Sequence, residues 1–337
     1  MPSATNKNYQ NRSRSRFISL VVLGIWFLAI YVVFSNRQGI IDWWKLTNYT
    51  APAEISQLAT ETTMNDYSRK VFYVNQPSIE DKTTFIDKCP SGSTQEKTIV
   101  LGCYYTGQGG IFLLGVDEPR LEGVEQVTAA HEMLHAAYDR LNSEERAKID
   151  SLLMDFYNNQ LKDKRILDTI ESYKVTEPDD IINEMHSIFP TEIKELTPEL
   201  EQYYKKYFSN RVLIAGFAEK YQAEFTSRQN SVAQDDSRLK TLKSEIDQLE
   251  ANLKLKQDAL SAKQAFMNSL KSSGNITAYN SEVSVYNRLV NDYNDDLASL
   301  KALINTYNQL VVKRNATAQE TQELTQELST DQTPINN

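Results

Sequence analysis

His131-Glu132-Met133-Leu134-His135 places two of the chain's three histidines four positions apart around a glutamate. The surrounding run, Val127 to Leu141, reads as one helix. Residues four apart on an α-helix project from one face, so both imidazoles can reach a single Zn²⁺. Glu132 sits one step round, where it can take a proton from an attacking water. That combination is suited to metal-assisted hydrolysis, with His131 and His135 as ligands and Glu132 as general base.

A catalytic zinc keeps three protein ligands and an open position, so the pair needs a partner. The residues after His135, Ala136 to Leu141, lack the H-x-x-G-x-x-H continuation, which excludes the metzincin arrangement. The third ligand is expected 49 positions after His135, in Ile181-Ile182-Asn183-Glu184-Met185-His186-Ser187-Ile188-Phe189. Here the isoleucines, Met185 and Phe189 form an apolar arc with Glu184 at one edge and His186 at the other. At 100° per residue the two lie about 200° apart, so only one can face a metal. Glu184 is the expected ligand. The alternatives are His186, which would make a three-histidine site, an acid such as Asp179 or Asp180, or no third ligand at all.

The pairing of H-E-x-x-H with Asn183-Glu184-Met185-His186-Ser187 resembles the gluzincin metallopeptidases, which carry the third ligand as a glutamate on a second helix. The long separation is similar to that of their lethal-factor-like branch. The resemblance covers residues 100 to 210 and rests on two short motifs, the first specific and the second weak. It implies a zincin-like domain, Zn²⁺ on His131, His135 and Glu184, and Glu132 as the base. A second donor for the tetrahedral oxyanion is also expected. Tyr203 and Tyr204 are candidates, with Tyr173 and His186 also available.

Other segments say where such chemistry would operate. Residues 1–34 hold Lys7, Arg12, Arg14 and Arg16 and no acid, leaving 32 basic against 45 acidic groups in the remainder, a net of −13. That acidity argues against a nucleic-acid partner. Phe17 to Phe34 is uncharged over 18 residues, about 27 Å as a helix, close to a bilayer core. Its arginine-rich flank and the Ser35-Asn36-Arg37 that follows favour an uncleaved anchor over a signal peptide, with residues 1–16 cytoplasmic and the rest outside. Cys89 and Cys103, the only cysteines, are expected to be disulfide-bonded in that compartment. The 15-residue loop so closed is worth about 3 kcal/mol in the chain-entropy model.

Around these residues the expected fold is α+β. A short helix spans 53–64, and strands are expected at Lys70–Val74, Thr98–Tyr105 and Ile111–Val116, the last two joined as a hairpin by a glycine-rich turn. The 111–116 strand then leads to the metal helix; a sheet edge beside that helix could pair with an extended peptide, and the alternative is that the same strand is fully covered. Asn142 caps a helix running to Asn159. Helices follow at 163–173, at 178–189 with Pro190 as its stop, and after Thr197-Pro198. From Val232, apolar residues alternate three and four apart to Lys271, and after Ser272-Ser273-Gly274-Asn275 they resume to Val311. This is an antiparallel coiled-coil hairpin, its seam weakened by Lys256 and Lys263. The segments are thus a basic tail (1–16), an anchor (17–34), a metallopeptidase domain (35–210), a hairpin (211–330) and a flexible tail (331–337).

The expectation is a single-pass cell-membrane protein with an extracytoplasmic zinc endopeptidase acting on protein or peptide at the cell surface. Its hairpin would bind a partner or a second copy. The rivals are a noncatalytic zinc-binding coiled-coil protein and a zinc-dependent hydrolase of cell-wall amides.

Overall fold

The computed structural model describes residues 7–90, 100–106, 109–176 and 178–330. The start of the basic tail, the expected turn and strand start within 91–99, part of the glycine-rich turn, and the 331–337 tail lie outside the described residues. The chain is mostly helical: α1 (Lys7–Ser35), α2 (Arg37–Thr47), α3 (Ala53–Glu61), α4 (Asp66–Val74), α5 (Lys82–Lys88), α6 (Val124–Tyr138), α7 (Ser143–Asn159), α8 (Lys164–Thr176), α9 (Ile181–Glu192), α10 (Pro198–Tyr204), α11 (Val212–Ser272) and α12 (Ile276–Leu328). Three strands complete it: β1 (Ser78–Glu80), β2 (Gly102–Tyr105) and β3 (Gly110–Leu114). Two compact units result. The first takes in the chain up to Gly115 together with Gly123–Ala218, and the second takes in Val116–Glu122 and the chain from Glu219.

In the first unit, α1 carries Ile18–Ser35, a window long and apolar enough to cross a membrane and not buried against any other element. The sheet has the order β1-β3-β2, with β1 parallel and β2 antiparallel to β3. The expected hairpin is therefore present, with Cys103 opposite Phe112. The 111–116 run is not the edge strand, however. β3 lies between two partners and buries Ile111, Leu113 and Leu114, while β2 forms the edge and packs on α6. The disulfide Cys89–Cys103 ties the end of α5 to β2, with 6.0 Å between Cα atoms.

The expected strand at Lys70–Val74 is a helix instead. Asn65 accepts hydrogen bonds from the amides of Tyr67 and Ser68, capping α4. Ser68, Val71, Phe72 and Asn75 are then buried at helical spacing. The β-branched and aromatic run was a weaker signal than the cap before it. α6 starts at Val124, three residues earlier than the periodicity indicates, after the N-cap Gly123, whose φ of +108° few other residues adopt; a Cβ there would also stand 2.9 Å from Phe217 Cβ. Asn142 forms the expected cap on α7 as a full capping box with Glu145.

The second unit is the helical hairpin. Arg228 meets Glu320, Asp235 meets Lys313, Asn252 meets Asp296 and Lys263 meets Glu282. Each advance along α11 is thus matched by a retreat along α12, which is an antiparallel arrangement. Ile246, Leu253 and Leu300 form a buried cluster that Leu249, Tyr293, Leu297 and Tyr307 extend. The two seam lysines are not bare liabilities: Lys256 lies 2.6 Å from Asp296 and Lys263 2.9 Å from Glu282. Turn residues Ser273 and Gly274 join the arms, and Gly274 takes a φ of +75°. α11 as a whole, 61 residues from Val212, is longer than the heptads suggest.

Candidate metal centre

α6 is a core helix. Ala129, Ala130, Met133, Leu134, Ala136 and Ala137 are all fully buried. A helix buried on nearly every face can hold its polar residues only where another element receives them. His131 and His135 meet α9, the helix most extensively packed on α6. Their Nε2 atoms are 2.9 Å apart. Glu184 Oε1 stands 3.3 Å from His135 Nε2, and Oε2 stands 3.5 Å from His131 Nε2. Ligand atoms held tetrahedrally at zinc–ligand distances of 2.0–2.1 Å are separated by roughly 3.3 Å. His131, His135 and Glu184 thus form a cluster close enough to bind one metal ion.

The burial of Glu184 tests that fit independently. It is 6% exposed, and its Oε2 has no hydrogen-bond partner. Burial by itself pushes its carboxyl pKa up, but the two imidazoles outweigh that and hold it below its ordinary value. A buried carboxylate oxygen without a hydrogen-bond partner is suited to receive a cation, and two imidazoles and one carboxylate are a donor set that suits zinc. His131 is the most open of the three, with 16% of its side chain exposed, so the cluster is approached from its side.

Glu132 is also buried, and its position depends on a glycine. A Cβ on Gly102, the first residue of β2, would stand 2.8 Å from Glu132 Oε1 and 2.5 Å from Thr128 Cγ2. The glutamate therefore lies directly against the edge strand. Only a residue without a side chain permits that approach.

His186, the alternative third ligand, is not brought to the pair. It is fully buried among the rings of Tyr138, Tyr203, Tyr204 and Tyr207, with its Nε2 3.0 Å from Tyr203 Oη. Burial lowers its pKa to about 3, so it is neutral. Asp179 and Asp180 are exposed ahead of α9.

Tyr203 and Tyr204 take parts that the sequence did not suggest. α9 does not stop at Pro190 but continues to Glu192. Proline has no N–H to donate to the carbonyl four residues earlier, which belongs to His186. Tyr204 Oη donates to that carbonyl instead, at 3.0 Å, from a ring that is 1% exposed. Arg211 then closes the helix end: its guanidinium donates to the carbonyls of Pro190, Ile193 and Lys194 while pairing with Glu201. Tyr203 bridges His186 and Tyr207. Both tyrosines thus support the helix that presents Glu184. Tyr173, on α8, is partly exposed. Arg211 was missed entirely, since an isolated arginine 27 positions after Glu184 carries no sequence signal.

Comparison with known proteins adds no relative. No family model matches the chain, and no curated protein or solved structure matches it significantly. The spacing of the cluster is like that of HExxH…E ligands, and that likeness rests on these residues alone.

Proposed function

We propose that this chain is a single-pass membrane protein with a cytoplasmic N-terminus whose extracytoplasmic first unit is a gluzincin-like zinc endopeptidase. Its substrates are proteins or peptides of the cell surface. The observation that carries the reading is a buried Glu132 between two histidines that converge with Glu184. A purely structural site needs three or four ligands but no acid between them, so Glu132 favours the enzyme over a noncatalytic zinc protein.

His131, His135 and Glu184 hold the ion. An ion held there would supply Lewis acidity to a scissile carbonyl and to the water that attacks it. Glu132 takes the proton of the attacking water and returns it to the leaving amine. Its place against Gly102 supports a substrate that lies extended along β2, the sheet edge beside α6. The hairpin of the second unit is read as the surface for a partner or a second copy.

The test is cleavage of a diverse peptide mixture by the zinc-loaded full chain, with Glu132→Gln as control. Cuts made by the wild type and lost in the variant support the reading. Cleavage of cell-wall amides but no peptide would move it to the amide hydrolases, and no Glu132-dependent turnover of either would leave the noncatalytic protein.

A further inference from the structure

α2 is built inside out for a helix in water. Ile40, Trp43, Trp44 and Thr47 fall on one face by their three-four spacing, and that face is exposed: Trp43 is 68% and Trp44 62% accessible. The charged Asp42 and Lys45 lie on the opposite face and are buried, at 3% and 7%. Two adjacent exposed tryptophans beside an exposed isoleucine form an apolar patch of the kind that marks a surface of interaction.

The inward Asp42 has defined partners in the first unit. Asp42 accepts two hydrogen bonds from Arg140, at 2.9 and 3.1 Å, and one from Gln38, and Lys70 lies 3.5 Å away. Arg140 stands two residues beyond the end of α6. The polar face of α2 is therefore fastened to the segment that leaves the metal helix, and its tryptophans point away from it.

What covers the tryptophans follows from continuity with α1. Only Asn36 separates the two helices. Trp43 and Trp44 stand eight and nine residues past Ser35, so even a helix rising straight on carries them no more than ~14 Å beyond the apolar span. Tryptophan concentrates at the level of lipid headgroups, where its ring is apolar and its N–H remains wet. Arg37 lies over the Phe34 ring at 5.4 Å, which puts a cation at the end of the span, where lipid phosphates are.

The geometry points to α2 as an interfacial helix whose Ile40–Trp43–Trp44 face lies in the outer leaflet and whose Asp42–Arg140 pair fixes the orientation of the metal-bearing unit to the bilayer. The occupant of the patch is a lipid surface. This rests on the reading of α1 as a membrane span, and the test separates the two.

The three tryptophans of the chain make it direct. In a Trp26→Phe full chain, emission comes from α2; in a Trp43→Phe/Trp44→Phe chain, it comes from α1. Each is reconstituted in phosphatidylcholine–phosphatidylglycerol vesicles brominated either near the headgroup or deep in the acyl chains. The α2 tryptophans should be blue-shifted, protected from aqueous iodide, and quenched more by shallow than by deep bromines. Trp26 should be quenched by deep bromines. Iodide-accessible α2 tryptophans that bromolipids do not quench overturn the interfacial helix while leaving the anchor intact. Protection from iodide without bromolipid quenching also overturns it, because a protein then covers the face. Quenching of α2 with none of Trp26 supports the surface and overturns the anchor.

Discussion

Tyr204→Phe removes one hydroxyl from a packed ring, and the structure says what that hydroxyl does. It donates to the His186 carbonyl, which Pro190 leaves without a helical donor. Both residues are fully buried or nearly so, so no water reaches the carbonyl once the hydroxyl is gone. An unsatisfied buried acceptor costs about 1–3 kcal/mol, and that is the expected destabilisation. A second substitution isolates the cause. Pro190→Ala restores an N–H four residues after His186, so in that background Tyr204→Phe should cost about 1 kcal/mol or less. The difference between the two backgrounds cancels whatever Pro190→Ala does on its own, including its effect on the unfolded chain. Urea unfolding of the detergent-solubilised full chain, followed by near-ultraviolet circular dichroism of the tyrosine cluster, measures all four corners of the cycle. Equal costs of Tyr204→Phe with and without Pro190 would refute the argument that this tyrosine repairs the helix carrying Glu184.

Two further outcomes follow from the same geometry. Gly102→Ala should lower turnover by about 10²-fold, the lower range of what a general base contributes, while leaving metal content unchanged. Its Cβ would displace Glu132 and Thr128 and not the ligands, so loss of metal in that variant would contradict the placement of Glu132. Asp42 supplies a pH dependence. Burial alone would raise its carboxyl, but the hydrogen bonds and charge of Arg140, helped by Gln38 and Lys70, hold it below its ordinary value. A carboxyl depressed in the folded state stabilises above its unfolded pKa of about 4, and the contribution disappears as pH falls through the lower folded value. Acid titration of stability should therefore show a loss below about pH 4 that is smaller in Asp42→Asn; identical acid profiles would contradict it.

The parts legible in the sequence are those with a repeating or covalent signature. Four-residue spacing brought His131 and His135 together, and three-four alternation disclosed the hairpin. The apolar run at 17–34 and the two cysteines each corresponded to a single feature. Glu184 was within reach because the arc of α9 allowed only one of Glu184 and His186 to face the pair. What could not be read depends on distant parts of the chain. Pro190 is a helix stop by its own chemistry, and only a hydroxyl fourteen positions later overrides it. Lys70–Val74 has strand composition, yet the cap at Asn65 and burial at helical spacing make it a helix. β1 is three residues long and pairs in parallel with a strand more than thirty positions away, which no local pattern announces. The inverted face of α2 follows from where Arg140 lies, which hydropathy does not record.

The proposed activity depends first on a metal held by His131, His135 and Glu184. Zinc content and zinc-edge X-ray absorption of the purified full chain test this directly. One zinc per chain is predicted, bound by two imidazoles and carboxylate oxygen. Glu184→Gln should lose most of it, and His186→Phe should retain it in whatever fraction folds. A chain that carries no zinc after loading, or keeps it fully in Glu184→Gln but loses it in folded His186→Phe, would contradict the assignment.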